Sequence, residues 1–396
     1  MKLNRSIGLM LASTAFVSIA SAAFALDGND IVAKLNALSS KNGVVIAAAS
    51  ATVDGDNVTL SGVTATITTA DNKKIPLGDV KLEGVSEDDE GYEVKKASFA
   101  DLNIMDNGDG IAAKDIYVNG LSIPTKTDAN DLSSMLLAES VHVGSTSIMA
   151  KNKSVMTIDQ TTVNYDYADD DSKMSFDADI AGLKIDLTSA PDPKAQEAIQ
   201  ALGLQNLDGE ITMKGSWSLT DGKMDISEYA FDFDNVGRLD INFSLSGYTM
   251  ALMKSMQDAV KAAQNNPDKS AANAALGMSM MGLMQQLSYN GAAIRFDDAG
   301  ITAKVLDYAG KQQGVDGKQF AQSIKGMLPM MLGQMNMPDL QKQIVDAASA
   351  YLDAPKSIEV SAKPAQGLPF PQIMGAAMGN PADLAKTLNV KVTANQ

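Results

Sequence analysis

Methionine is the residue whose number and spacing suggest chemistry in this chain. There are 23, and 14 of them fall from Met250 onward. They cluster as Met250, Met253 and Met256, as Met278, Met280, Met281 and Met284, and as Met327, Met330, Met331, Met335 and Met337, with Met374 and Met378 behind. Sulfurs three or four residues apart share one helix face. Three readings follow from that geometry. Thioethers fill the core of a helical bundle, because methionine is flexible and fits irregular gaps. They line an adaptable surface for varied apolar ligands or partners, conforming to an acyl chain at little strain. Or they ligate copper(I), a soft ion that prefers soft sulfur donors. The flanking Leu, Ala and Gly residues suit apolar contact better than copper. The lining set expected for an apolar ligand is Met253, Met256, Met281, Met284, Met327 and Met331.

Other chemistry is sparse. His142 is the single histidine, and there is no cysteine, so the usual zinc sites cannot be built. A Ser-His-Asp triad would need His142 as its base, but no G-x-S-x-G turn presents a serine. Gly108-Asp109-Gly110 followed by Ala113 matches a dinucleotide fingerprint in spelling only. Asp106 and Asn107 precede it, and Ile116 and Val118 continue a strand rhythm where a helix is required. An EF-hand aligned on Gly110 puts Met105 and Ile116 at ligand positions that need acids, which leaves only irregular calcium binding open for the acidic loops. No catalytic residue, cofactor or metal ligand is expected, and the chain is not expected to be an enzyme. Carboxylates alone would have to carry any reaction.

The elements that position these residues change character along the chain. Asp30 is placed to cap a short helix with Ile31, Leu35 and Leu38 at helical spacing. From Val44 to Tyr248 the pattern has period two. Leu239, Ile241, Phe243 and Leu245 alternate with Asp240, Asn242 and Ser244, and Leu183 to Leu187 and Val163 to Tyr167 do likewise. That rhythm predicts antiparallel strands with one dry and one wet face. Asp221-Gly222 predicts a hairpin between the strands of Trp217 and Met224, with Asp54-Gly55 and Asn107-Gly108 as weaker versions. Asp169-Asp170-Asp171 reads as a solvated turn.

A small element recurs at irregular spacing: apolar, any residue, glycine, apolar. It appears at Leu60–Val63, Leu82–Val85, Val118–Leu121, Ile180–Leu183 and Leu245–Tyr248. Such glycines either bend strands, which curves the sheet, or end them at ordinary turns. After Tyr248 helices are predicted over Thr249–Gln264, Ala271–Leu287, Thr302–Gln312, Gly317–Leu332, Asp339–Leu352 and from Asn380-Pro381. Short strands are predicted at Ala292–Phe296, Ser357–Ala362 and Leu388–Thr393. The fold class expected is α+β: a large curved antiparallel sheet, a half-barrel or groove, followed by Met-rich helices and a short C-terminal strand. Its divisions are 1–25, a β-rich region 26–248 and a mainly helical region 249–396.

Residues 1–25 carry Lys2 and Arg5, an apolar run from Ile7 to Ala20, and Ala23-Phe24-Ala25. That is the layout of a secretory signal peptide cut after Ala25. It predicts a periplasmic protein, with full secretion as the alternative. The net charge of −16 argues against nucleic acid as a partner and against adsorption to anionic membranes. No segment after residue 25 is apolar enough to span a bilayer.

The repeated glycine element, including Val118-Asn119-Gly120-Leu121, makes the β-rich stretch resemble the repetitive strands of AsmA-type envelope proteins. The resemblance implies a curved β groove and a role in moving or housing lipids. The missing membrane anchor and the Met-rich helical half depart from that pattern. Two expectations compete on these grounds. One is a soluble periplasmic protein that binds an acyl chain or other hydrophobic ligand, with envelope lipid handling as its context. The other is a structural or interaction protein of the envelope, its Met-rich helices docked on a protein partner.

Overall fold

The alternating stretches fold as strands of one open antiparallel sheet, and the helices gather mainly in the C-terminal half, so the chain is α+β. The computed structural model describes residues 26–40, 43–68, 72–126, 132–190, 192–335, 337–379 and 381–396. The signal-peptide reading of residues 1–25 lies outside them. In order the elements are α1 (Gly28–Ser39), β1 (Val44–Ala47), β2 (Ser50–Asp54), β3 (Asn57–Ile67), β4 (Lys73–Glu87), β5 (Gly91–Phe99), β6 (Leu102–Asp106), β7 (Asp109–Ala113) and β8 (Ile116–Pro124). Then come β9 (Ser140–Val143), β10 (Thr146–Ala150), β11 (Lys153–Ile158), β12 (Gln160–Tyr167), β13 (Lys173–Asp186), α2 (Pro193–Leu202), β14 (Asn206–Ser218), β15 (Met224–Phe233) and β16 (Gly237–Ser246). The remainder is α3 (Met250–Asn265), α4 (Lys269–Met284), β17 (Ser288–Asp298), α5 (Ile301–Gln312), α6 (Gly317–Leu332), α7 (Pro338–Asp353), β18 (Ser357–Ala362), β19 (Leu368–Pro369), α8 (Phe370–Gly379), α9 (Pro381–Thr387) and β20 (Val390–Ala394).

Two compact units share the chain. The first holds most of the N-terminal part up to Leu102, with 115–141 and 165–174. Its core forms where α1 packs against β1, β2, β3 and β8, and Ile31 joins Val58, Leu60, Leu82, Tyr92, Val94 and Ile123 of β3, β4, β5 and β8 in one buried cluster. The Tyr92 hydroxyl donates to Asp30 Oδ2 at 2.9 Å, and Lys34 Nζ reaches the same oxygen at 2.8 Å. The hydrogen bond from Lys34 holds the Asp30 carboxyl below its usual range. The Tyr92 contact thus ties the helix to the core, while its cap is Asp27, whose Oδ1 accepts from Asn29 N at 2.8 Å; Asp30, the expected cap, lies in the first turn instead. Asn36, one turn on, meets the edge strand: its side-chain amide donates to Ile46 O at 2.6 Å and accepts from Ile46 N at 2.7 Å.

The second unit holds 103–114, 142–164 and everything from Ser175 onward. Its ladder runs β14, β15, β16, β17, β18, β20, each pair antiparallel. α5, α6 and α7 pack in sequence, and α7 runs along β20, the last strand. There Gln343 Oε1 accepts the Val392 amide at 3.2 Å. α3 and α4 form a hairpin between β16 and β17, closed at its base by Trp217, whose indole N–H donates to Tyr248 O at 2.7 Å.

The recurring glycine element has a common cause. Gly62, Gly84, Gly120 and Gly182 lie inside strands and Gly247 follows one, all at φ between +58° and +88°. At Gly182 a Cβ would also fall 2.2 Å from the Asp159 carboxylate. Four of the five therefore kink strands, and one ends a strand. Asn107-Gly108 is the turn between β6 and β7, and Asp109 and Gly110 open β7, so the segment is a strand hairpin and no nucleotide loop. Two helices go beyond the sequence expectation. α2 interrupts the strand rhythm, with Asp192 capping it and Pro193 at its first position. α8 precedes the expected last helix. β17 extends beyond both ends of the expected Ala292–Phe296, because β16 pairs with it from Ser246 to Gly237.

Candidate functional site

The site begins with the alternation in β16. Residues opposite one another across an antiparallel ladder share a face. Leu239 faces Phe296, which faces Ile358 and then Ala394. Ile241 faces Ile294, Val360 and Val392 in the next row, and Phe243 faces Ala292, Ala362 and Val390 in the third. Four strands at the usual spacing make each row about 14 Å wide. No charged side chain interrupts these three rows.

The centre of this apolar face is open. Ile294 keeps 52% of its surface exposed and Val360 keeps 48%. Their neighbours Ile241, Leu239, Phe243 and Phe296 are half-buried. α7 accompanies β18 and β20 but leaves the middle row uncovered. Leaving these two β-branched side chains half in water forgoes about 1 kcal/mol each.

The opposite face shows that this one is not simply the wet side of the sheet. It carries Lys214, Glu228, Arg238 and Asp240 from β14 to β16, and Arg295, Asp297 and Glu359 from β17 and β18. Arg238 reaches Glu228 at 2.5 Å and Asp240 at 3.5 Å, while Lys214 meets Glu228 at 2.8 Å. Arg295 pairs with Asp297 at 2.7 Å and lies 3.7 Å from Glu359. An ionic face meets water readily; an apolar one does so at a cost.

The hydrogen bond from Lys214, with further ones from Arg238 and Thr212, holds the Glu228 carboxyl down at about 2. A carboxyl depressed in the folded state stabilises it fully above the unfolded glutamate range, near about 4.3, and loses that contribution as pH falls toward 2. Glu228→Gln is therefore expected to cost about 1–2 kcal/mol at neutral pH, after allowing for solvent screening. Thermal melts should show the gap to the parent chain closing between about pH 4.5 and pH 2. A gap independent of pH would contradict this assignment.

The expected methionine lining divides between two places. Met253 and Met256 are half-buried on α3, on the side that faces α4, whose own inward stripe is Ala272, Leu276, Met280 and Leu283. Met281 and Met284 lie on the outward side of α4 and are exposed. The hairpin brings this pair to the same end as Met253 and Met256. Met327 and Met331 are exposed on α6, which packs on α5 and α7 through Ala321, Ile324 and Leu328. Ile294 and Val360 did not enter the expected lining, although the alternation ending in Leu245 marked the same dry face.

Two cavities also lie in this unit. One of about 340 Å³ lies among Met156, Ile185, Asp186 and Leu207. The other, about 310 Å³, lies among Met337, Leu340, Gln343, Ala385 and Val390. Both are at the small end of the range for ligand pockets. Among the described residues no three His, Asp or Glu side chains converge as a metal site. His142 is half-buried on β9.

A family model described as "Uncharacterized protein" matches residues 230–395. The match takes in β16 to β20, the strands of the open face. No curated protein matches the chain.

Proposed function

We propose that this chain is an exported, periplasmic protein that binds an acyl chain or similar hydrophobic ligand on the apolar face of β16, β17, β18 and β20. The observation that carries the reading is the row Ile241, Ile294, Val360 and Val392, continuous across four strands and half-exposed at its centre. An acyl chain lying on these rows would remove both open side chains from water. The ladder's own hydrogen bonds are already made, so the face offers apolar contact without unpaired polar groups.

Native mass spectrometry of the chain purified from its own periplasm tests this, followed by solvent extraction. Extra mass that extracts as a lipid with an acyl chain is the expected result. A bare chain that also fails to take up a fluorescent fatty acid would refute the reading. A co-purified protein in place of lipid would favour the envelope interaction role instead.

A further inference from the structure

The exposed methionines follow the distribution of charge. Charged residues make up 20% of the chain, yet residues 270–294, 326–338 and 364–382 contain none. Every exposed methionine among the described residues, apart from Met105, lies in one of these three stretches. Met278 is 77% exposed, Met330 76% and Met378 90%. These thioethers are additional to the packing stripes of their helices. On α4 the stripe of Ala272, Leu276, Met280 and Leu283 turns inward, while Met278, Met281 and Met284 turn out.

We propose that the outward face of α4, carried on the α3–α4 hairpin, docks on the surface of a zwitterionic lipid bilayer, with Met278, Met281 and Met284 entering the boundary between headgroups and acyl chains. This goes beyond binding of a single acyl chain and rests on a different element. Charge selects the occupant. α4 has no cation after Lys269 to attract anionic headgroups, and the chain as a whole carries −16, so between anionic and zwitterionic bilayers the zwitterionic surface is the one that does not repel it. The length of α4 sets the mode. Sixteen residues extend about 24 Å, short of the roughly 30 Å hydrocarbon core, and no helix among the described residues is long and apolar enough to cross a membrane. The helix therefore lies in the interface. Area disfavours a second copy. The outward strip of one such helix offers about 250 Å², against about 800 Å² per partner in a stable complex.

The test is flotation of the full chain with phosphatidylcholine vesicles. The parent chain should float with the vesicles equally at low and high salt. Met278→Asp with Met281→Asp should lower the bound fraction at least tenfold, while Met278→Leu with Met281→Leu should retain it. Both side chains are exposed, so all these variants keep the packing of the hairpin. Ile294→Asp should float as the parent does, which separates this surface from the acyl-chain face. A parent chain that stays in the aqueous fraction at every lipid concentration would overturn the proposal. So would flotation unaltered by the double aspartate change. A parent dimer in light scattering that the same change dissolves, without flotation, would assign the face to self-association instead.

Discussion

Aspartate at both Ile294 and Val360 is expected to weaken fatty-acid capture at least tenfold while the chain stays folded. Each change removes a β-branched side chain from the middle of the open row and puts a solvated carboxylate in its place. The lost apolar contact is about 1 kcal/mol per site. Covering an unpaired carboxylate with an acyl chain costs more than that again. Together these exceed the 1.4 kcal/mol that separates affinities by a factor of ten. The fold should persist because both positions already face water by about half, and replacements at such strand sites change stability by about 1 kcal/mol. Titration of a fluorescent fatty acid checks the affinity, and circular dichroism with a thermal melt checks the fold. Ile294→Val should bind as the parent does, since it keeps the branch and the apolarity. A folded double variant with undiminished binding would move the ligand off this face.

Tyr92→Ala is expected to destabilise the first unit by about 3–5 kcal/mol, the usual range when a large buried aromatic is truncated. Tyr92 is 1% exposed and sits between the core and α1. Its ring fills the space beside Ile31 and Val94, and its hydroxyl meets the Asp30 carboxylate that also pairs with Lys34. The truncation removes packing and one hydrogen bond at the same point. Tyr92→Phe separates the two effects and should cost about 1 kcal/mol. Urea unfolding followed by tryptophan-independent circular dichroism reads both, because the single tryptophan, Trp217, lies in the other unit. Equal losses for the two variants would assign the stabilisation to the hydroxyl, with the ring contributing little.

Much of the architecture is legible in short stretches. Leu239, Ile241, Phe243 and Leu245 declare a strand with one dry face, and Asp221-Gly222 declares the turn between β14 and β15. Gly317–Leu332 and Ser357–Ala362 appear with the expected limits. These features depend on neighbours in sequence, which is why they can be read there. Coverage of a face is different. Whether Ile294 and Val360 meet a helix depends on where α5, α6 and α7 come to rest after chain reversals, and no local pattern encodes that. The methionines show the same division. Their number marks adaptable apolar surface, but Met280 and Met281 sit about 100° apart around one helix, and only the partner helix decides which is covered. α2 carries a local signal in Asp192 and Pro193 that the surrounding strand rhythm obscures.

The amide side chains of Asn36 and Gln343 bear on what the molecule can build. An exposed strand edge invites another chain to add to it, and repeated addition produces fibres or continuous sheets. At β1 the peptide of Ile46 is already bonded in both directions by Asn36, and at β20 the Val392 amide is held by Gln343 with α7 alongside. Each is a side chain imitating the next strand at a place where a neighbouring copy would otherwise add. Growth through β1 or β20 is thereby terminated, and an assembly of many copies would have to be joined through surfaces other than these two strands.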